Sequence, residues 1–446
     1  MHKLTIFRFL FFGLLIMLGG CQRDVFPENK PVDIQIKASF LSEEYGAKLP
    51  LDSIVVSVFD PEGRLVFRDS LQPEGTFSVK SLAPNAYTLQ ATAVFKKEYF
   101  NDLFDLDEDF DVSFSSQATR FEINESSSKE FELGLLNGSY GALVIKQIYY
   151  AGSHATQGAS FRDQFIEIYN NSEIVQYADS LYIAEAFGAN SKSTNYVYLP
   201  NSMQYDWSKS YGMPSNIKAN EDYVYAATIL RIPGSGTDYP ILPGESIVLA
   251  ATAANHKSPY QGTDGKTISV QNPDLTVDLS QADFEAHYAT EEGVTRPLAS
   301  DVDNPNVPNV VVVRRSNGTD LIMSQTGQDS WIIFRDAGMG EVKTWKTYDR
   351  PYTDGRVTTA GTYVQIPVAN IIDAVELQSS TSTQYPKRLN AKTDAGFIAV
   401  TGGQRSSNSV IRKTKEIVNG RRILKDSNNS TEDFTSMKAA PKGFAD

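Results

Sequence analysis

The sequence predicts an all-β protein, built as two immunoglobulin-like β-sandwiches in series with the second enlarged by long loop insertions. Three observations carry that prediction. Short apolar stretches alternate with period two from residue 32 onward, turn residues punctuate them at regular spacing, and 446 residues exceed what one core usually serves. Long, loop-rich stretches interrupt the second half.

The N-terminal segment has to be set aside before the fold is read. "MHKLTIFRFLFFGLLIMLGGC" places Lys3 and Arg8 ahead of an apolar run from Phe9 to Leu18. That is the charge and length of an export signal rather than of a spanning helix. It closes on Leu18-Gly19-Gly20-Cys21, and Cys21 is the sole cysteine. This ending resembles the lipobox of bacterial lipoproteins, which implies removal of residues 1–20 and acylation of Cys21. Several acyl chains hold a protein on a bilayer far more firmly than one. Residues 21–31, polar and with two prolines, read as a tether.

Removing Lys3 and Arg8 with the signal leaves 39 basic against 54 acidic residues, a net charge of −15. Such a chain is repelled by nucleic acid, so no nucleic-acid partner is expected. The basic stretch "RKTKEIVNGRR", residues 412–422, is local and reads as a solvated hairpin. A single cysteine permits no intramolecular disulfide, although an exported compartment would.

Residues 32–137 are expected to form the smaller sandwich. In "VDIQIKASF" Val32, Ile34, Ile36, Ala38 and Phe40 share one face and the polar residues the other. Asp60-Pro61-Glu62-Gly63 suits a type I turn between two further strands. "TFSVKSLAPNAYTLQATAVF" gives two more around Pro84-Asn85, with Asn85 suited to positive φ, and residues 110–136 supply closing strands. The Leu82-Ala83-Pro84-Asn85-Ala86-Tyr87 run resembles the carboxypeptidase-regulatory and transthyretin-like modules, which implies a spacer or stability element. Between strands, Asp105, Asp107, Asp109 and Asp111 alternate in "NDLFDLDEDFD". Oxygens so spaced suit Ca²⁺, the one cofactor the sequence suggests, here structural; a solvated acidic loop is the plainer reading. Phe110 stands where an EF-hand loop needs glycine.

Residues 138–446 are expected to form the larger sandwich. "ALVIKQIYY" and "QFIEIYNNSE" read as paired strands, the second stopped by Asn170-Asn171-Ser172, whose side chains bond nearby backbone. Glu167, Tyr169, Asn170 and Asn171 occupy places that resemble the first hairpin of the lamin-tail family. Further fragments follow in that family's order: "ILPGESIVLAA" at 241–251, "GQDSWIIFRDAG" at 327–338, "NIIDAVELQ" at 370–378, and a closing region with Arg412, Asn429, Asp433 and Phe434. The resemblance implies an immunoglobulin-like sandwich. The span is far longer than that module, and the excess falls near 187–240, 252–309 and 340–366. The whole arrangement resembles an uncharacterised family of lipoproteins of Gram-negative, Bacteroidota-type bacteria. That resemblance implies an outer-membrane location and association with TonB-dependent transporters. It leaves the periplasmic and cell-surface sides open, with the surface favoured.

Chemistry is sparse. His154, His256 and His287 are far apart, and no hydrolase, nucleotide-binding or redox motif occurs. The reading is therefore a non-catalytic binding protein, with a structural or adhesive surface protein as the alternative and a hydrolase assembled from loops as the less favoured one. The first insertion concentrates aromatics. Tyr196, Tyr198, Tyr223 and Tyr225 alternate as strand residues do, whereas Tyr205, Trp207 and Tyr211 are candidates for ligand or partner contact; alternatively all of them cover the insertion's own core. In the second insertion "QADFEAHYA" suggests a helix after Ser280, placing Asp283 and His287 one turn apart. Asp301, Asp303 and Asn304 in "DVDNPNVPN" offer oxygens to a cation.

Overall fold

The computed structural model describes residues 30–445 apart from 62–63, 107–111, 117–118, 139–141, 173–174, 201, 317, 359–360, 382–384 and 419. Cys21 and the acidic residues Asp107, Asp109 and Asp111 lie outside the described residues. The protein is all-β, with only short helical pieces.

Alternation is clearest in the first strand of the first module. Val32–Phe40 buries every second residue, Val32 through Phe40, and turns the others toward solvent. It lies between Thr76–Leu82, antiparallel, and Glu130–Gly138, parallel. The sheet has eight strands and runs Leu65–Ser70, Val55–Phe59, Asn85–Phe95, Val112–Ser116, Glu130–Gly138, Val32–Phe40, Thr76–Leu82, with Thr119–Ile123 also on Asn85–Phe95. The long Asn85–Phe95 strand makes this fold-over work: its first half pairs with Thr119–Ile123 and its last residues with Val112–Ser116. The sheet's two ends approach each other, with the Phe67 and Phe77 ring centroids 5.4 Å apart. Asn85 does not take positive φ; it opens the strand, and Ser81 carries the left-handed conformation instead at φ 56°. The Lys97–Phe104 helix, which alternation did not foretell, buries Phe100 and Phe104, one turn apart, against this core.

In the second module two sheets face one another. One runs Phe284–Glu285, Ser246–Ala250, Phe165–Asn170, Leu143–Tyr149, Asn408–Arg412, Phe434–Lys438. The other runs Thr347–Asp349, Thr362–Pro367, Tyr223–Arg231, Tyr182–Ala186, Ser330–Phe334, Ile371–Glu376, with Val311–Arg314 also on Tyr223–Arg231. Between them Ile145, Ile148, Ile166 and Ile168 meet Ile183, Leu230, Ile333 and Val375. Loops cover both outer faces, where Val277, Leu279 and Val307 pack on one sheet and Val342 and Leu389 on the other.

This double covering changes several sequence expectations. Phe165–Asn170 is buried at every position rather than on one face. Asn170 and Asn171 do end it, but inside the protein: Asn170 accepts from the Ser172 amide and donates to Ile241 O, and Asn171 brackets the Leu424 backbone. Residues 187–240 hold more than loop, because Tyr223–Arg231 is an inner strand of the main sheet; 340–366 likewise supplies two strands. The helix expected after Ser280 does not form. Phe284–Glu285 pairs in parallel with Ser246–Ala250. There the Asp283 carboxylate accepts from Val248 N at 2.8 Å, and the Glu285 carboxylate from Ala253 N at 2.9 Å. Tertiary partners for backbone donors outweigh local helix preference.

A buried ion cluster joins the two sheets. The Arg412 guanidinium reaches Asp373 at 2.6 Å, Asp426 at 3.1 Å and Asp433 at 3.4 Å, and lies 4.6 Å from the Phe434 ring centroid. It also donates to Ile145 O and Lys425 O. Three carboxyls share one guanidinium away from water. Burial pushes Asp373 up to about 7 and Asp433 up to about 6, while the surrounding carboxylates outweigh the burial of Arg412 and keep it charged.

Candidate binding site

The aromatic residues of 187–225 converge at one end of the second module. The strand Tyr182–Ala186 leads into residues 187–222, where the turn Trp207–Lys209 is the sole regular element among the described residues. Asp206 starts that turn by accepting from the Ser208 amide and hydroxyl. Hydrogen bonds tie the excursion down: Val197 N donates to Pro351 O, Asn220 to Tyr205 O, and the Tyr225 hydroxyl to Ala219 O.

Within it Trp207 stacks on Tyr225 with ring centroids 3.8 Å apart, and Phe187 on Tyr363 at 3.6 Å. Tyr205 packs against Tyr196, Tyr198 and Trp207. Both Tyr205 and Trp207 are only 6% exposed. They belong to the core of this excursion, so their ring faces are not an open contact surface. Tyr211 differs: it is 68% exposed. Tyr223 and Tyr225 are strand-borne as expected, and Tyr196 and Tyr198 form isolated bridges to Tyr352 and Tyr205.

A narrow cleft of about 20 Å³ opens beside the stack, lined by Tyr205, Trp207, Tyr223, Lys387, Arg388 and Asn390 among others. It holds no more than a water molecule. Arg388 is fixed by Glu376 and Asn190. Gly188 allows this approach, since a Cβ there would stand 2.6 Å from Arg388 Cγ. On the outer side Arg350 lies over Tyr196 at 5.0 Å and Tyr352 at 5.6 Å, and Arg356 over Tyr352 at 4.6 Å. Burial pushes the Tyr363 hydroxyl up to about 12. The sequence reading missed these arginines and Phe187; the signal for the arginines was "TYDRPYTDGR" at 347–356, where basic and aromatic residues interleave.

Residues 242–441 match the model of a family described as "Protein of unknown function (DUF4876)". Thus Arg350, Arg388 and Arg412 fall inside the matched span, whereas Tyr205, Trp207 and Tyr211 precede it. A crystal structure of a DUF4876 family protein from Bacteroides thetaiotaomicron aligns at 22% identity, covering 91% of this chain and 95% of that one, with a TM-score of 0.48. A candidate adhesin from Bacteroides ovatus aligns at 12% identity over 56% of this chain and 85% of that one, with a TM-score of 0.18. Candidate polysaccharide-binding proteins (DUF1812) from Bacteroides thetaiotaomicron align at 11% over 55% and 88%, also at 0.18. No curated protein matches.

The other sequence candidates separate in space. His287 meets Asp301 at 3.1 Å rather than Asp283, which pairs with Lys442. Asp303 accepts from the Asn309 side chain, and Asn304 donates to Ala253 O, so the "DVDNPNVPN" oxygens are used within the fold. Asp105 caps the Lys97–Phe104 helix in left-handed conformation. No group of three His, Cys, Asp or Glu among the described residues is arranged to hold a metal ion. Perturbed carboxyls occur along the core. Burial pushes Asp163 up to about 6, Glu185 to about 7 and Asp320 to about 8. Each is answered by its own donors: Thr276 and Ser153 for Asp163, Thr228 for Glu185, Leu321 N for Asp320. Among the described residues no helix is long and apolar enough to cross a membrane.

Proposed function

We propose that this chain is a non-catalytic, lipid-anchored protein of the outer membrane, held through Cys21 and facing the cell surface. The first module spaces, and the aromatic end of the second contacts a ligand, a TonB-dependent transporter, or both. The observation that carries this reading is the excursion over residues 187–222: an aromatic stack, held by its own hydrogen bonds, from which Tyr211 stands out exposed. Loops of this length with an internal packing order are more often functional than incidental. A flat ring presented on a preorganised base gives contact area at low entropic cost. The cleft beneath is too small for a ligand, so contact is expected across the top of the stack.

The test is purification of the lipidated protein from gently solubilised outer membranes, followed by identification of what accompanies it. A transporter in stoichiometric amount, lost on Tyr211→Ala, supports the reading. A solitary protein, in a preparation where known transporter complexes survive, rejects the stable-complex form.

The adhesive alternative draws on one observation. Leu65–Ser70 ends the first sheet and is exposed throughout, with Leu65, Val66 and Phe67 in succession. An exposed apolar edge strand can pair with an added strand. Arg68→Pro, which blocks that edge, should abolish adhesion if this reading holds.

A further inference from the structure

Arg350 stands on the outer side of the aromatic end, just past the strand Thr347–Asp349. It is partly buried, and among the described residues no carboxylate pairs with its guanidinium. Arg388 and Arg412, by contrast, are answered by Glu376 and by Asp373, Asp426 and Asp433. Asp349, the neighbour of Arg350 in the chain, gives its oxygens to the Arg350 amide and to Thr358, and Asp354 pairs with Arg356. In a chain of net charge −13, a guanidinium without a carboxylate is a place for a negative ligand. We infer that Arg350, framed by the phenol hydroxyls of Tyr196, Tyr205, Tyr352 and Tyr363, binds the carboxylate of a polyhydroxylated ligand, in chemical class an acidic sugar. The inference deepens the reading of the aromatic end as a contact surface, and rests on it.

The guanidinium is held in place. The Tyr196 and Tyr352 ring centroids lie 5.0 and 5.6 Å from it, and Nη2 donates to the Tyr352 hydroxyl at 3.0 Å. Nε is enclosed without a hydrogen-bond partner, whereas buried donors are normally paired. Nη1 is not enclosed and makes no hydrogen bond among the described residues, so it is the donor left to meet a carboxylate oxygen. Burial works against the charge of Arg350, but the phenols of Tyr363, Tyr196, Tyr352 and Tyr205 outweigh it and keep the group ionised. The phenols themselves stay neutral, since burial pushes Tyr363 up to about 12. A neutral phenol both donates and accepts, which suits the hydroxyls of a sugar as well as a carboxylate oxygen. The Tyr363 ring lies flat on Phe187 with centroids 3.6 Å apart, so its hydroxyl is positioned rather than free. One guanidinium among neutral neighbours matches a single negative charge, which favours a carboxylate over a phosphate dianion.

The test is calorimetric titration of the full chain with tetragalacturonate, its methyl ester and inorganic phosphate, at two ionic strengths. Saturable binding of the acid but not of the ester is expected, weaker at the higher ionic strength. Arg350→Gln should weaken it at least about tenfold. Tyr363→Phe keeps the stacked ring and removes only the hydroxyl, and should weaken it about threefold or more. Lys218→Gln removes an exposed charge of the same excursion that is already paired with Glu221, and should leave binding unchanged. Thermal melts show which variants are folded; if Arg350→Gln is not, the ester comparison and Tyr363→Phe decide. No saturable binding of the acid, or binding that Arg350→Gln leaves undiminished, overturns the inference. So does phosphate that displaces the acid with the same variant pattern, which would assign the site to inorganic anions. Equal binding of acid and ester, lost on Tyr211→Ala, would overturn the carboxylate and uphold the aromatic end as a contact surface. Acid binding that neither Arg350→Gln nor Tyr211→Ala changes would overturn both.

Discussion

The two modules solve the same problem in different ways. In the first, Val32–Phe40 has one dry and one wet face and its burial follows sequence parity, while the edge strand Leu65–Ser70 is left exposed throughout and the central strand Asn85–Phe95 is buried from Ala86 to Ala91. Its ion pairs are at the surface; Lys80 and Asp33 are both largely exposed. In the second, strands are covered on both sides, and charges are carried inside with them. Lys146–Glu167, Arg388–Glu376 and the Arg412 cluster are each about 1% exposed or less, apart from Asp426 at 3%. The difference shows what a sheet needs once loops close over its outer faces: polar strand residues must then find partners within the protein.

The strongest way to break this contrast is Arg412→Ala. It would leave Asp373, Asp426 and Asp433 buried without their counter-charge, a loss of about 3–5 kcal/mol for a broken buried pair. The second module should unfold at much lower denaturant while the first is unmoved. Lys80→Ala in the first module should shift nothing measurable, because exposed pairs contribute little. Two resolved transitions in denaturant, followed by fluorescence, would check both; a shift of the first transition by Arg412→Ala would contradict the separation.

Apolar truncation sharpens the same comparison at somewhat smaller effect. Ile36 and Ile333 are both fully buried, one in each core. Either change to alanine should cost about 2–5 kcal/mol. Ile36→Ala should lower only the first transition and Ile333→Ala only the second. Calorimetry on the two variants would show whether the modules melt as separate units.

A pH response of moderate size is expected in the second module, where the titratable groups shifted by burial lie. Asp163, Glu185 and Asp320 have folded pKa values raised, chiefly by burial, to about 6, 7 and 8. Their protonated forms are favoured in the fold, so their stabilisation is complete below the unfolded value of about 4 and is lost as pH rises through the folded values. His256 works the other way: burial lowers it to about 4, so it opposes stability as pH falls below about 6.5. Between pH 6.5 and 8 only the carboxyl effect of these groups remains. The second transition should therefore move to lower temperature across that window, and Asp320→Asn should flatten the slope. A second transition that rises from pH 6.5 to 8 would reject the assignment.

How much of this was legible in the sequence follows the same division. Parity located Val32–Phe40, whose wet face leaves a polar residue at every second position, and turn residues such as Asp60-Pro61-Glu62-Gly63 located its neighbours, among which Leu65–Ser70 and Asn85–Phe95 do not follow parity. It missed the Lys97–Phe104 helix, where only Phe100 and Phe104 mark the apolar face. In the second module parity failed at Phe165–Asn170, because Glu167 looks solvent-facing until Lys146 and Ser246 are seen to hold it. What stood out there instead were Asp373, Arg412, Asp433 and Phe434, scattered across sixty residues and brought together as one cluster. The "QADFEAHYA" stretch misled because helix spacing is local, whereas the donors that Asp283 and Glu285 satisfy come from residues 248 and 253. At the binding end, composition singled out Tyr205, Trp207 and Tyr211 together. Composition could not separate the buried from the exposed, because that depends on which rings Tyr225 and Tyr363 meet across the sheet.

Of Trp207 and Tyr211, it is Tyr211 that gives the smaller effect on stability and the clearer one on function. Trp207 lies flat on Tyr225 at 3.8 Å and is 6% exposed. Trp207→Ala should cost about 3–5 kcal/mol, as for other large buried aromatics, and should lose binding only because the excursion no longer holds its shape. Tyr211→Ala removes an exposed ring, and should change stability by no more than about 0.5 kcal/mol. If Tyr211 is a contact residue, it should nevertheless lose target retention at least as completely as Trp207→Ala does. Tyr211→Phe keeps the flat ring and should retain most of it. Thermal melts of the three variants beside their recovery of membrane partners distinguish the roles. Full retention by Tyr211→Ala would mean that the excursion is packed for its own stability, and that the contact surface lies elsewhere on the second module.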